Sequence, residues 1–306
     1  MAQVHWKTEA QRQAQGIRRR VLEHSLKNDG GYMSQACSSA ELLAVLYQKV
    51  LRLGPLAKPL MPRPFPGVPS PHNPGYFLGN DFHGPTSDQH DRFILSPTHY
   101  SLVLYAALIE AGRLAPEGLL EFNKDGSSVE MIGAEHSPGM EVMTGSLGQG
   151  LSQGVGMALG RKLKGATGRV VVMMSDGEFQ IGMTWEAVQF MAHHRLDNVL
   201  VFVDANQQQC DGLVSSVMTI EPLEQRLKAF GARVAVVDGH DLGALARPAS
   251  LRPNGKPLFV IARTDPCHGL ELLRRNAPRL HYLRFKGPDD KQAYQQVLGA
   301  WNEEGN

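Results

Sequence analysis

Residues 169–209 read RVVVMMSDGEFQIGMTWEAVQFMAHHRLDNVLVFVDANQQQ. Arg169–Met174 is a continuous apolar run, the kind that a parallel sheet buries on both faces. Asn198–Val203 is a second such run, and helix signals lie between them from about Met183 to His194. Strand, helix and strand in that order form a βαβ unit, so the expected fold is α/β with a mostly parallel central sheet and helices on both faces.

In such sheets ligands bind beyond the carboxyl ends of the strands. Asp176 follows the first run and Asn206 the second, thirty positions later. If the two strands are neighbours, both side chains converge at one edge. A carboxylate, an amide oxygen and a nearby carbonyl are hard oxygen ligands that suit Mg²⁺ or Ca²⁺, with diphosphate oxygens and water completing the shell. Gly177 lets the backbone approach a diphosphate with no Cβ in the way. Taken singly, Asp is also a common helix cap and Asn a common turn former. The pair at two strand ends is the more specific signal.

The rest of the chain extends the α/β pattern. Residues 1–50 read as two helices broken at Gly30-Gly31, the second from Ser38 to about Leu51 with Leu42, Leu43, Leu46 and Val50 on one stripe. A Pro-rich stretch from Pro55 to Pro85 cannot form a regular helix. It is expected as a surface loop, an insertion at about 55–90 in a single domain spanning 1–306. A short strand at Asp91–Ser96, a helix at Ser101–Gly112, a loop at 123–140 and a small-residue helix running to Lys164 follow. Further strands are expected at Arg233–Val237 and Pro257–Ala262, and a last helix around Lys291–Trp301.

Several separated motifs resemble those of one family. SDG at 175–177 with Asn206 is similar to the GDG-and-Asn motif of thiamin diphosphate enzymes. PGMEVMTGSLGQG at 138–150 resembles the glycine-rich segment of transketolases, and DRFILSPTHYSLVLYAAL at 91–108 resembles another transketolase segment. The resemblance runs from about residue 10 to 270. It implies a thiamin diphosphate-binding fold with Asp176, Asn206 and the carbonyl of Gln208 as ligands of Mg²⁺, for which Ca²⁺ or Mn²⁺ would substitute. It places Gly145, Ser146, Leu147, Asp176, Gly177, Glu178, Asn206 and Gln208 around the cofactor. His99 falls where these enzymes keep an active-site histidine, and His136 and His268 occupy two further histidine regions. His240, in Asp238–Asp241, also matches a family motif and is read as structural.

The activity implied is transfer of a two-carbon ketol unit from a ketose to an aldehyde. The family's next domain, which binds the cofactor's pyrimidine, has no counterpart before Asn306. The resemblance therefore implies an α₂β₂ assembly with a separate C-terminal subunit. Two positions depart from the family pattern. Tyr32 stands where these enzymes have a catalytic His, and Ile181 where transketolases have a Glu linking the two cofactor sites. A phenol titrates near 10, so Tyr32 is suited to donating a hydrogen bond and not to shuttling protons. These departures leave two other readings open: a thiamin enzyme that first decarboxylates a 2-keto acid, and a partner subunit without catalytic activity. A nicotinamide oxidoreductase is disfavoured, because GSLGQGLSQG lacks the GxGxxG spacing.

Composition agrees with a small-molecule enzyme. The 306 residues are 42% hydrophobic, and 31 Lys+Arg nearly balance 30 Asp+Glu, so there is no basic field for nucleic acid. No apolar run reaches the length of a membrane span. The first residues lack the apolar core of a signal peptide. Cys37, Cys210 and Cys267 are odd in number and show no metal-site spacing. A reducing, cytoplasmic location is the expectation.

Overall fold

The computed structural model describes residues 2–304. Five parallel strands form the central sheet: β1 (Arg92–Leu95), β2 (Val170–Ser175), β3 (Val199–Ala205), β4 (Arg233–Asp238) and β5 (Leu258–Arg263), in spatial order β1-β2-β3-β5-β4. The expected α/β architecture is thus observed, and the two runs that suggested it are neighbours in register, with Ser175 beside Asp204.

Strand residues alternate between two apolar layers. Phe93, Leu95, Val171, Met173, Leu200, Phe202, Val260 and Ala262 face one core. Ile94, Val170, Val172, Met174, Val199, Val201, Val203, Phe259 and Ile261 face the other. Strands apolar at every position need cover on both sides. Helices α1 (Ala2–Lys27), α2 (Met33–Val45) and α3 (Ser101–Glu110) cover the first face. Helices α4 (Gln149–Leu163) and α5 (Gly182–His193) cover the second.

Helix α2 departs from the sequence reading at its start. It begins at Met33, five positions before the expected Ser38, and continues as a π-helical turn over Leu46–Val50. Ser38 and Ser39 look like start signals but lie inside the helix. The Ser39 hydroxyl bonds back to the carbonyl of Gln35 at 2.6 Å, the usual way a mid-helix serine satisfies itself, whereas Ser38 Oγ turns to Asp204 at 2.6 Å. The true boundary is set by Gly30-Gly31, which pairs antiparallel with Leu283-Arg284. The last helix likewise starts earlier than expected, at Pro288, a residue type preorganised for a first turn.

The Pro-rich segment is irregular, as expected, except for a 3₁₀ turn at Gly79–His83. It is pinned by bridges from Leu60 to Leu114 and from Pro64 to Ser127. No helix among the described residues is long and apolar enough to cross a membrane.

Candidate active site

The carboxyl ends of the strands carry, in spatial order, Ser96, Asp176, Asn206, Thr264 and His240. Asp176 and Asn206 are brought together as expected. The backbone N–H of Gln207, held at φ +61°, donates to Asp176 Oδ2 at 2.7 Å. The other oxygen, Oδ1, is buried with no partner. Burial, then the charge of Asp204, pushes the Asp176 carboxyl up to about 8.

The Asn206 amide is oriented by a cage. Its Nδ2 lies 3.2 Å from Ser38 Oγ, 3.1 Å from the Tyr100 hydroxyl and 3.2 Å from Asp204 Oδ2. Oδ1 is thereby turned away, toward Gln207–Gln208, where it accepts from the Gln208 N–H at 2.8 Å. Asp204 is fully buried. It accepts from Ser38 at 2.6 Å, Tyr100 at 2.8 Å and Thr264 at 2.5 Å, and burial raises its carboxyl above the ordinary range. Sequence reasoning missed Asp204 and its three hydroxyl donors, because nothing in their spacing announces a cage drawn from α2, α3's entry turn and two strand ends.

Gln208 presents a second buried oxygen without a partner, its side-chain Oε1; the resemblance had implied its carbonyl. Two carboxylates and two amide oxygens thus lie buried at one edge. Among the described residues neither Asp176 nor Asp204 has an ion-pair partner. Buried carboxylates without a counter-charge are costly, and a hard divalent cation is the group this donor set fits.

Glu178 lies fully buried beside the same edge. It accepts from Ser96 Oγ, from the N–H of Gly148 at 3.0 Å and from the N–H of Ser175 at 2.9 Å. Its role is to tie the glycine-rich turn to two strand ends. In that turn Gly148 takes φ +82°, and Gly150 is so close to Ser96 that a Cβ would lie 2.6 Å from its hydroxyl oxygen. Gly145 and Gly177 differ: a Cβ would meet nothing nearer than 4.0 and 3.6 Å. Those two glycines leave room at the site instead of filling it. Gly145, Ser146 and Leu147 are exposed, available to a ligand or a neighbouring chain.

His99 sits on the 3₁₀ turn Thr98–Tyr100 that follows β1. Its ring is 5.5 Å from that of Tyr32 and 4.9 Å from that of His281. Burial, then the charge of His281, pushes His99 down to about 3, so it is neutral at pH 7. Burial also raises Tyr32 and lowers His281. His281, unnoticed in the sequence, is fixed by Gln35, whose Nε2 lies 3.2 Å from its Nδ1 and 3.0 Å from its carbonyl.

His136 and His268 are not joined to this cluster by any described contact. His136 packs against Phe65 and Tyr76 of the Pro-rich segment and lies 3.4 Å from Glu130. It reaches the site only through its loop, where Gly133 bonds Thr98 and Ser101 at 3.0 and 3.1 Å. His268 stacks on His240 at 3.8 Å. His240 lies 3.1 Å from Glu41 and accepts the Asp265 N–H at 2.9 Å. Glu41 also takes the buried guanidinium of Arg18. Burial opposes ionisation of Glu41, but His240 and Arg18 outweigh it and hold the carboxyl at about 2. The Glu41–His240–His268 group has metal-like spacing, yet the Arg18 guanidinium already neutralises the Glu41 carboxylate.

Residues 76–272 match the model of the transketolase thiamin diphosphate-binding domain. The chain belongs to that family. Among similar transketolase-family proteins, one from Sinorhizobium fredii is 36% identical over 94% of each chain. The 6-deoxy-6-sulfo-D-fructose transketolase subunit of a Clostridium species is 32% identical over 83% of this chain and 84% of its own. One subunit of the apulose-4-phosphate transketolase of Actinobacillus succinogenes is 29% identical over 94% of this chain and 96% of its own. The fold is also that of solved transketolases. The Campylobacter jejuni enzyme superposes with a TM-score of 0.70 at 22% identity, covering 97% of this chain and 47% of that one. The Pichia stipitis enzyme superposes with a TM-score of 0.69 at 22% identity, covering 97% of this chain and 45% of that one. This transketolase-family chain therefore spans about half the length of those solved structures.

Proposed function

We propose that residues 1–306 act as one diphosphate-binding domain, the cofactor-holding subunit of a two-chain transketolase. The observation that carries this reading is the pair of partnerless buried oxygens, Asp176 Oδ1 and Gln208 Oε1, beside the caged amide of Asn206. They supply the donors for Mg²⁺ and, through it, for the diphosphate of the cofactor. Two relatives of similar length are named as transketolase subunits, which supports an α₂β₂ assembly with a separate pyrimidine-binding subunit.

When bound, thiamin diphosphate supplies the nucleophilic carbon and the electron sink for breaking a C–C bond beside a carbonyl. This chain's residues do the rest. Gly145 and Gly177 leave space for the diphosphate. His99 stays neutral, so it can accept a hydrogen bond from a substrate hydroxyl at one nitrogen and present N–H at the other. Tyr32 remains protonated and donates a hydrogen bond where a histidine would exchange a proton. Two-carbon transfer from a ketose to an aldehyde by the complex, absent in Asp176→Asn, tests the reading. Release of CO₂ from pyruvate without ketol transfer would replace it with the decarboxylating alternative.

A further inference from the structure

Beside the Tyr32–His99–His281 cluster lies a cavity of about 610 Å³, within the range of small-molecule sites. Its wall is built by residues 279–284. Leu280 and Leu283 are buried anchors, while Arg279, His281, Tyr282 and Arg284 line the cavity with Tyr32 and Asp211. The placement is dictated by the fold. Arg284 pairs with Gly30 and Leu283 with Gly31. A Cβ on Gly30 would come within 2.7 Å of the Leu283 carbonyl, so the segment seats directly on the residues preceding Tyr32.

The charge of this cavity is unusual. Tyr32 and His281, like neighbouring His99, are shifted by burial toward their neutral forms. The cationic charge comes from Arg279 and Arg284, with Asp211 the only carboxylate on the wall. Neither guanidinium has a carboxylate within ion-pair reach among the described residues. Arg284 is instead held over the Tyr282 ring, 4.9 Å from its centroid, and Tyr282 lies 5.0 Å from Tyr32. A continuous row of rings therefore links the guanidinium to His99. Two guanidiniums without carboxylate partners on the wall of a polar cavity, one of them stacked on a ring, match the flat fork that binds an oxyanion.

We infer that Arg279 and Arg284 are specificity-determining residues, a clamp by which this subunit reads a terminal tetrahedral oxyanion, phosphate or sulfonate, on the sugar substrate. The inference rests on the transketolase reading for the sugar and on the cavity alone for the anion. Asp211 lines the same cavity.

The test uses the full complex with Mg²⁺ and thiamin diphosphate, comparing glyceraldehyde 3-phosphate with glycolaldehyde as acceptors. In R279Q/R284Q the ratio of kcat/KM for the phosphorylated over the neutral acceptor falls about 10-fold or more, the scale of lost charge-assisted hydrogen bonds. R279K/R284K recovers part of the ratio, since charge without the planar fork is the weaker clamp. An unchanged ratio overturns the clamp. Calorimetric titration of inorganic phosphate and of inorganic sulfate into the full chain is independent of turnover. Wild type binds at least one of them, and R279Q/R284Q binds it about 10-fold more weakly. Absence of binding to both, or equal binding by the variant, also overturns the clamp. If binding behaves as expected but no ketose and acceptor pair supports transfer, the transketolase reading falls and the anion site stands.

Discussion

The backbone N–H of Gln207 donates to Asp176 Oδ2 at 2.7 Å, and this one bond joins the ends of two neighbouring strands at the candidate cation site. It fixes one carboxylate oxygen and leaves Oδ1 buried and free. In the same loop Asn206 Oδ1 accepts the Gln208 N–H, and Gln208 Oε1 is buried without a partner. The site is preorganised by backbone geometry before any ligand arrives.

Asp204 acts on that site from behind. Asp204→Asn keeps the shape but removes the buried charge and disturbs the cage around the Asn206 amide. Mg²⁺ affinity in the presence of thiamin diphosphate falls about 10- to 100-fold, the usual cost of altering a residue that orients a ligand. Calorimetric titration of Mg²⁺ measures this. Affinity equal to wild type would show that the cage is packing alone.

The glycines divide into two kinds with opposite outcomes. Gly148→Ala puts a Cβ on a φ of +82° and within 3.0 Å of Ile181, costing about 1–2 kcal/mol. Gly145→Ala meets nothing closer than 4.0 Å, so its stability stays within about 0.5 kcal/mol of wild type. Cofactor binding reverses the ranking of interest: Gly145→Ala weakens it through lost space. Paired urea unfolding and cofactor titration of both variants check the contrast.

His99 makes the protein acid-labile. Its folded value of about 3 lies below the ordinary histidine value near 6.5. Between those values the unfolded chain holds more protons on this residue, so stability rises with pH there and falls as pH drops from 6.5 toward 3. Above about 6.5 the group contributes nothing to the slope. His99→Asn therefore shows a smaller drop in Tm between pH 7 and pH 5 than wild type. An identical drop would mean that His99 is not held neutral by burial.

Glu178→Ala removes one acceptor shared by Ser96, Gly148 and Ser175. Each orphaned buried donor costs about 1–3 kcal/mol, so Tm falls by many degrees. Glu178→Gln keeps the acceptor oxygen and falls less. A Glu178→Ala protein as stable as wild type would show that the glycine-rich turn is fixed by other means.

The sheet was legible because its central strands β2 and β3 read as continuous apolar runs buried along their whole length. Asp176 and Asn206 were legible because strand-end positions translate directly into a shared edge. Boundaries that depend on distant pairing were not. Helix α2 starts where Gly30-Gly31 meets Leu283-Arg284, a contact across most of the chain that no local signal announces. His281 and Tyr282 escaped notice for the same reason. His136 and His268 sit in irregular loops, where the neighbours, Phe65 in one case and His240 in the other, come from remote segments. Glu178 was read as one of the groups around the cofactor, and its bonds to Ser96, Gly148 and Ser175 also make it a brace of the glycine-rich turn.

The central claim is that Asp176, Asn206 and Gln208 hold the cofactor's diphosphate through a divalent cation. Thermal unfolding tests it most directly, on the full chain and on the complex isolated from the native cell, with thiamin diphosphate plus Mg²⁺ and again with EDTA. At about 100 times its dissociation constant the cofactor adds about 2.7 kcal/mol. The account predicts an upward shift of a few degrees that EDTA abolishes and that Asp176→Asn lacks. A complex that shows no shift, or an Asp176→Asn complex that shifts as much as wild type, would contradict it.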